Sequence, residues 1–298
     1  MEWKGVRGTI LENVPMKRYT SMKVGGPVRY LLYPVDEDDL KNTLQYLIHR
    51  NIPYRFLGNG TNVIVNDKGL NEALIRITRM KKKTYKRTKG GAVADVSGGM
   101  PLKQFIRDNA QRGLSGLENL YWIPGTVGGA IKMNAGSFGT SVSDPLLAMR
   151  VLNARGQIVT MTKHDGAFGY RASPVRPTEC VLSARFSLKS RDKKEIAKDM
   201  EYVYGERKKR HPMEFPSAGS VFKEVKGEPA WKFVEKAGLK GLKVGSACVS
   251  EKHANFIVNL GSATANDVRT LVNTIKREVF EKTGVSLEEE VELWGFNG

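Results

Sequence analysis

Residues 113–139 read G-L-S-G-L-E-N-L-Y-W-I-P-G-T-V-G-G-A-I-K-M-N-A-G-S-F-G, with seven glycines in 27 residues among large apolar side chains. Glycine loses more conformational freedom on folding than any other residue, so this density needs a compensating reason. Close approach of bare backbone to something flat or phosphorylated supplies one; a packed structural loop is the plainer alternative. Either way, the stretch is expected to be neither a routine helix nor a routine strand.

The elements on either side are more regular. V-R-Y-L-L-Y (28–33) reads as a strand closed by Pro34. Asp36, Glu37, Asp38 and Asp39 then crowd a helix start, where carboxylates suit the dipole. Leu40, Leu44, Leu47 and Ile48 give that helix an apolar stripe, and Pro53 is expected to end it. Tyr54–Leu57 returns as a strand, making a small βαβ unit with the right-handed crossover such units favour. Another strand is expected at 63–65, and a strand-rich region follows at 73–77, 92–97, 148–153, 157–161 and 180–186. One helix interrupts it, beginning with Pro101 and ending before Gly113. A charged helix with Ile196, Met200, Val203 and Tyr204 on one face is expected to lead to a last domain. That domain has a strand at 255–260 and a helix from about 265 to 282, opened by the capping pair Thr264 and Asp267.

Composition narrows the function classes. The chain has 298 residues and no run of 18 apolar ones, so no membrane insertion is expected. Its N-terminus lacks the apolar core of a secretion signal, which makes the cytoplasm the expected location. Two cysteines and four scattered histidines show no metal-ligand spacing, and no metal site is expected. The net charge of +17 draws anions: nucleic acid, lipid headgroups or phosphorylated metabolites. Its densest run, R-M-K-K-K-T-Y-K-R-T-K (79–89), reads as a solvated hairpin or loop. No helix-turn-helix, zinc finger or aromatic RNA-reading motif accompanies it, so no nucleic-acid partner is expected. No motif fixes the oligomeric state.

Two further stretches carry candidate chemistry. L-G-N-G-T-N-V (57–63) follows a strand, but it lacks the third glycine, the following helix and the later acidic residue of a dinucleotide fingerprint. A tight turn remains, or a phosphate cradle of another geometry. F-P-S-A-G-S-V-F-K-E-V (215–225) presents Ser220 between small and bulky neighbours. Without G-x-S-x-G, or a histidine tied to it by motif, the nucleophile reading is weak. Proton donor and turn-former stay open on these residues alone.

Seven separated motifs, in order, resemble those of the UDP-N-acetylenolpyruvoylglucosamine reductase family: T-S-M-K-V-G-G (20–26), G-N-G-T-N-V-I-V (58–65), the glycine-rich stretch, F-G-Y-R-A-S (168–173), P-S-A-G-S-V-F-K (216–223), K-H-A-N-F-I-V-N (252–259) and S-L-E-E-E-V (286–291). The resemblance covers nearly the whole chain. It implies an α+β fold: a two-part FAD-binding domain of the vanillyl-alcohol-oxidase type (1–72 and 73–190) and a smaller α+β substrate-binding domain (191–298). It further implies non-covalent FAD, NADPH as hydride donor, and the enolpyruvyl ether of UDP-N-acetylglucosamine as substrate. The residues matching the family's FAD-binding positions are Gly58, Asn59, Gly60, Thr61, Asn62, Pro124, Gly125, Thr126, Gly128, Gly129, Asn134, Ala135 and Gly136.

For the chemistry, the resemblance implies hydride delivery to the terminal vinyl carbon, then protonation of the enolate left at C2. Arg171 matches the family arginine, which can grip a carboxylate and stabilise enolate charge. Glu290 matches the family glutamate in preference to Glu288 or Glu289 and shares with Arg171 the stabilising of the enolate; facing an anionic substrate, it has to be protonated or strongly hydrogen-bonded. Ser220 matches the proton donor. Tyr170, Arg207, Arg210 and His253 match substrate-side positions. Two departures stand out: Glu224 replaces a common asparagine, and E-V-E-L-W-G replaces a common arginine after E-V. The short stretch after Phe168 leaves no room for a tyrosine-bearing lid, which implies the shorter subtype. A flavin oxidase on the same scaffold, acting on another substrate, is the rival reading.

Overall fold

The computed structural model describes residues 3–296. It is α+β, as the resemblance implied, and its contacts divide it into two units. The first comprises the chain up to Glu12, Tyr30–Asn59 and Glu72–Glu206; the second comprises Asn13–Arg29, Gly60–Asn71 and the chain from Arg207 on.

In the first unit, helix α1 (Glu37–His49) is capped as its acidic start suggested: the Asp36 side chain accepts the Asp39 N–H at 2.9 Å. Leu40, Leu44 and Leu47 are fully buried, but Ile48 is 47% exposed and lies off the stripe. Nor does Pro53 end the helix. It stops four residues earlier through Asn51, which takes φ +52°, while the Ile52 N–H turns back to the Leu47 carbonyl; asparagine tolerates this left-handed position better than most residues. The expected βαβ unit is not a simple pair of neighbours, because Leu70–Ile75 lies between Pro27–Tyr33 and Tyr54–Phe56 and runs parallel to the latter.

A larger antiparallel sheet follows the order Ile158–Thr162, Leu146–Leu152, Cys180–Ser190, Gly91–Ser97, Lys83–Thr88. The basic run 79–89 thus supplies the outer strand of a hairpin, as solvated as expected, and charged side chains suit a sheet edge that would otherwise invite pairing. Helix α2 (Leu102–Gln111) buries Leu102, Phe105 and Ile106 and ends before Gly113, which has φ +69°. The glycine-rich stretch does form a helix after all, α3 (Val127–Lys132), with two glycines inside it. Packing there is tight: a Cβ on Gly128 would lie 3.1 Å from the Gly98 carbonyl oxygen and 3.3 Å from that of Val181, so a side chain would press the helix off the backbone it packs against. Helix α4 (Lys193–Arg210) buries only Ile196 and Val203, while Met200 and Tyr204 are half-buried.

The second unit holds an antiparallel sheet in the order Ser217–Ser220, Phe256–Asn259, Ala247–Val249, Lys243–Val244. Glu292–Trp294 runs parallel to Val63–Val65 beside it in the same unit. Helices α5 (Ala230–Lys236) and α6 (Ala265–Thr283) cover its core. The apolar stripe of α6, Val268, Leu271, Val272, Ile275 and Val279, is buried. Thr264 and Asp267 form the full capping box, and Gly284 closes the other end at φ +71°. The sequence hid a second cap. Asp67, 198 residues from Ala265, accepts the N–H groups of Ala265 and Asn266, both at 2.9 Å. Among the described residues no helix is long and apolar enough to cross a membrane.

A carboxylate taking two free N–H groups at a helix start satisfies donors and dipole together, which is worth about 1–2 kcal/mol. Asp67→Ala should therefore lower stability in equilibrium urea unfolding by that amount; an unchanged midpoint would contradict the capping role.

Candidate functional site

In the first unit, a narrow cleft is lined by Gly58, Gly98, Gly99, Thr126, Gly128, Gly129 and Lys132, with Ile75, Ile77, Val175 and Val181 as its apolar wall. The Thr126 hydroxyl caps α3 by accepting the Gly129 N–H at 3.1 Å. The same oxygen would lie 3.0 Å from a Cβ on Gly58, so any larger residue there would crowd the cleft. Backbone bonds lock the loop: Leu102 N–H to Gly125 O, Val127 N–H to Met100 O, and Gly128 N–H to Gly98 O. Ala135 is tied in at both ends, to Ala130 and to Val142, whereas Pro124 is exposed and Asn59 half-buried. Upstream, the Glu118 carboxylate accepts from Ser115 Oγ at 2.5 Å and from the N–H groups of Gly116 and Leu117. Burial would raise its pKa, but these hydrogen bonds outweigh burial and hold it below the usual range.

Asn134 connects this loop to the arginine motif. Its side-chain N–H donates to the Gly169 carbonyl at 2.8 Å, while its Oδ1 is buried without a partner. Gly169 and Ala172 pair across a two-residue turn whose tip is Tyr170 and Arg171. Arg171 sits at φ +53°, a left-handed conformation costing roughly 1–2 kcal/mol for a residue with a side chain. Such an outlier persists where the surroundings impose it, and it invites a functional reading. The guanidinium lies 4.9 Å from the Tyr170 ring centre, and Nη1 would be 3.9 Å from a Cβ on Gly136. Tyr170 itself is 49% exposed.

A glycine-lined cleft with apolar walls and a helix N-terminus, with the orphaned Asn134 amide oxygen farther along the same loop and outside the cleft lining, fits a flat, hydrogen-bonding heteroaromatic group bearing phosphates. The residues present therefore fit FAD. Gly98, Gly99 and Lys132 were missed from sequence, although S-G-G-M-P (97–101) carries the same glycine-plus-proline signal as the loop they face.

In the second unit, Gly60 takes φ +65°, and a Cβ there would collide with the Tyr19 carbonyl oxygen. Ser21 N–H reaches the Gly60 carbonyl at 2.9 Å. Thr61 and Asn62 follow, half-buried, and the Asn62 side chain donates to the Glu290 carbonyl at 3.0 Å. Ser220 ends the strand Ser217–Ser220, just after Gly219 at φ +81°. Beyond it, the Glu290 N–H donates to the Val221 carbonyl at 2.7 Å, and Lys223 N–H to the Glu288 carbonyl at 2.9 Å. The serine and glutamate motifs, nearly seventy residues apart, thus share one backbone pairing. The three glutamates also separate. Glu288 pairs with Lys223 and Glu289 with Lys276, so each of Glu290's neighbours has a lysine of its own.

His253 lies in a ring cluster with His211, Phe256 and Trp231. His211 packs 5.3 Å from His253 and 4.9 Å from Phe256. Burial, reinforced by Arg207, His253, Arg210 and Lys252, pushes the His211 pKa down to about 4. Burial lowers that of His253 as well. Arg207 and Arg210 are thus placed beside the histidine cluster, within the same unit.

Residues 28–162 match the family model of an FAD binding domain, and residues 211–294 match that of the UDP-N-acetylenolpyruvoylglucosamine reductase C-terminal domain. The UDP-N-acetylenolpyruvoylglucosamine reductase of Carboxydothermus hydrogenoformans is 40% identical over 293 residues, covering 98% of this chain and 96% of that protein. That of Syntrophus aciditrophicus is 37% identical over 294 residues, covering 98% and 94%. The crystal structure of the corresponding reductase from Thermus caldophilus aligns with a TM-score of 0.79 at 38% identity, covering 97% of this chain and 99% of that one.

A neutral, half-buried His211 makes a pH prediction. Because its folded pKa lies below the unfolded 6.5, its stabilising effect is complete above pH 6.5 and is lost as pH falls towards 4. Allowing for partial exposure, the loss is on the order of 2 kcal/mol. His211→Phe should lose correspondingly less stability than the wild type between pH 6.5 and 4 in urea titrations; parallel pH profiles would contradict a neutral imidazole in the folded protein.

Proposed function

The chain belongs to the UDP-N-acetylenolpyruvoylglucosamine reductase family, and from that premise we propose how its own residues divide the work. It is an FAD-containing oxidoreductase that uses NADPH to reduce the enolpyruvyl ether of UDP-N-acetylglucosamine-enolpyruvate, giving UDP-N-acetylmuramate for peptidoglycan precursor synthesis. The FAD binding and C-terminal reductase models match the chain in that order. We assign residues 1–72 and 73–190 to the two parts that bind FAD and 191–298 to the UDP-sugar, in the shorter subtype, acting in the cytoplasm.

FAD, when bound, supplies the hydride that the terminal vinyl carbon receives. Gly58, Asn59, Gly60, Thr61 and Asn62 would hold its phosphates through backbone N–H groups. Pro124, Gly125, Thr126, Gly128, Gly129, Asn134, Ala135 and Gly136 would hold the rest, with the unpartnered Asn134 Oδ1 ready to accept one of its hydrogen bonds.

The substrate's carboxylate is where charge grows. Addition at the terminal carbon pushes the vinyl electron pair towards C2 and the carboxylate, leaving an enolate. Arg171 binds that carboxylate and stabilises the added charge through a fixed, forked guanidinium. Its strained turn supports this role, since the backbone cost fixes the direction in which the side chain leaves. Ser220 then donates a proton to C2. A serine hydroxyl is too weak an acid to do so alone, so it relays a proton; Glu290, which with Arg171 stabilises the enolate, is the neighbour we assign to supply it. Tyr170, Arg207, Arg210 and His253 orient the rest of the substrate.

The observation that carries this reading is the backbone pairing of the Ser220 segment with the Glu290 segment, which holds an acid and a relay on adjacent chain. Anaerobic spectroscopy tests it. The yellow protein should be bleached by NADPH and recoloured by the enolpyruvyl UDP-sugar; recolouring by oxygen alone, with no effect of the sugar, would favour a flavin oxidase. Ser220→Ala should leave bleaching near the wild-type rate and slow recolouring by about 100-fold or more, within the usual range for a lost general acid. Equal slowing of both half-reactions would sink the proton-donor assignment.

A further inference from the structure

Ser220 lies next to an irregularity. The strand Ser217–Ser220 pairs with Phe256–Asn259 through a register shift between Ser217 and Ser220, and Gly219 between them adopts φ +81°. A bulge of this kind re-aims side chains but breaks the regular ladder. Something other than the ladder must therefore hold the chain just beyond the serine.

Asn255 does so. It is only 6% exposed, and its carboxamide engages both main-chain groups of Phe222: Oδ1 accepts the Phe222 N–H at 2.9 Å, and Nδ2 donates to the Phe222 carbonyl at 2.8 Å. A side-chain amide used in this way replaces the missing strand neighbour. The main chain of Asn255 adds two more bonds. Its carbonyl accepts the Val221 N–H at 2.8 Å, and its N–H donates to His253 Nδ1 at 3.2 Å. The Val221 carbonyl in turn receives the Glu290 N–H. One buried residue therefore fixes the segment after Ser220, through it the segment bearing Glu290, and the ring of His253. Because His253 Nδ1 accepts, the neutral ring carries its proton on Nε2.

We propose that Asn255 is a positioning residue for the protonation step. It acts through the backbone of Val221 and Phe222 to keep the Ser220 hydroxyl aligned with Glu290. This inference rests on the proposed function and adds a residue to it. Proton transfer is steep in distance and angle, so loosening this clamp should affect the step that uses Ser220 far more than flavin reduction.

Asn255→Asp is the primary test. It keeps the volume and the acceptor but loses the donor, setting a carboxylate against the Phe222 carbonyl. Variants are first matched to wild type in flavin content and far-UV circular dichroism. Stopped-flow bleaching by NADPH should stay within about twofold of wild type, while recolouring by the UDP-sugar slows roughly 10–100-fold, the cost of a misplaced reacting group. The solvent deuterium isotope effect on recolouring should rise, because proton transfer becomes limiting. Calorimetric affinity of the oxidised protein for the UDP-sugar should change by less than about threefold, since truncating a positioning group removes no substrate contact. Asn255→Ser, able to offer Phe222 one hydrogen bond, should recover part of the recolouring rate relative to Asn255→Ala, and it substitutes for any variant that fails to fold.

Equal slowing of both half-reactions overturns the proposal, as does unchanged recolouring in Asn255→Asp and Asn255→Ala. If the wild-type protein itself is not recoloured by the UDP-sugar, the proposed function falls and this inference with it; failure confined to the variants overturns the inference alone.

Discussion

The Val221 carbonyl oxygen is the hinge of the second unit's chemistry. Accepting the Glu290 N–H at 2.7 Å, it sets the register in which Glu290 lies against Val221, Glu289 against Phe222 and Glu288 against Lys223. A backbone hydrogen bond contributes about 1 kcal/mol net, more than a typical exposed ion pair such as Lys223–Glu288. The register is therefore set by the main chain, and the lysines follow it. A slip of one residue would bring Glu289 or Val291 to the place of Glu290, since side chains alternate along an extended segment. Asn62, donating to the Glu290 carbonyl, and the parallel pairing of Glu292–Trp294 with Val63–Val65 oppose that slip from the other side.

The first unit relies on exclusion. Gly58 and Gly128 are small because Thr126 and the Gly98 carbonyl occupy the space a side chain would need. The bare backbone that results is suited to a flat cofactor, and the short helix α3 adds the partial positive charge of its N-terminus. Asn134 and the strained Arg171 turn then attach the group we propose to bind the substrate carboxylate to that same loop.

What the sequence made legible was mostly local. Helix α6 could be read almost to the residue because a capping box, an apolar stripe and a terminal glycine all lie within its own span. The motifs carrying Ser220, Arg171 and the glycine-rich loop were legible through their family resemblance. Long-range effects were not. Asp67 caps a helix from 198 residues away, and nothing in its own neighbourhood signals that role. Helix α3 was hidden because glycine's poor helix propensity is overridden by close packing. The end of α1 was misplaced because an obvious proline masked a quieter asparagine, and nothing near Asn255 in sequence signals its bonds to Phe222, 33 residues away.

The central claim is that Ser220 and Glu290 act as one proton-delivering unit, and a double-mutant cycle on the recolouring rate tests it most directly. If they act in series, Ser220→Ala combined with Glu290→Gln should be no slower than the slower single variant, because removing either breaks the same path. Multiplicative losses, with the double variant slower by the product of the two single effects, would show two independent contributions and contradict the account.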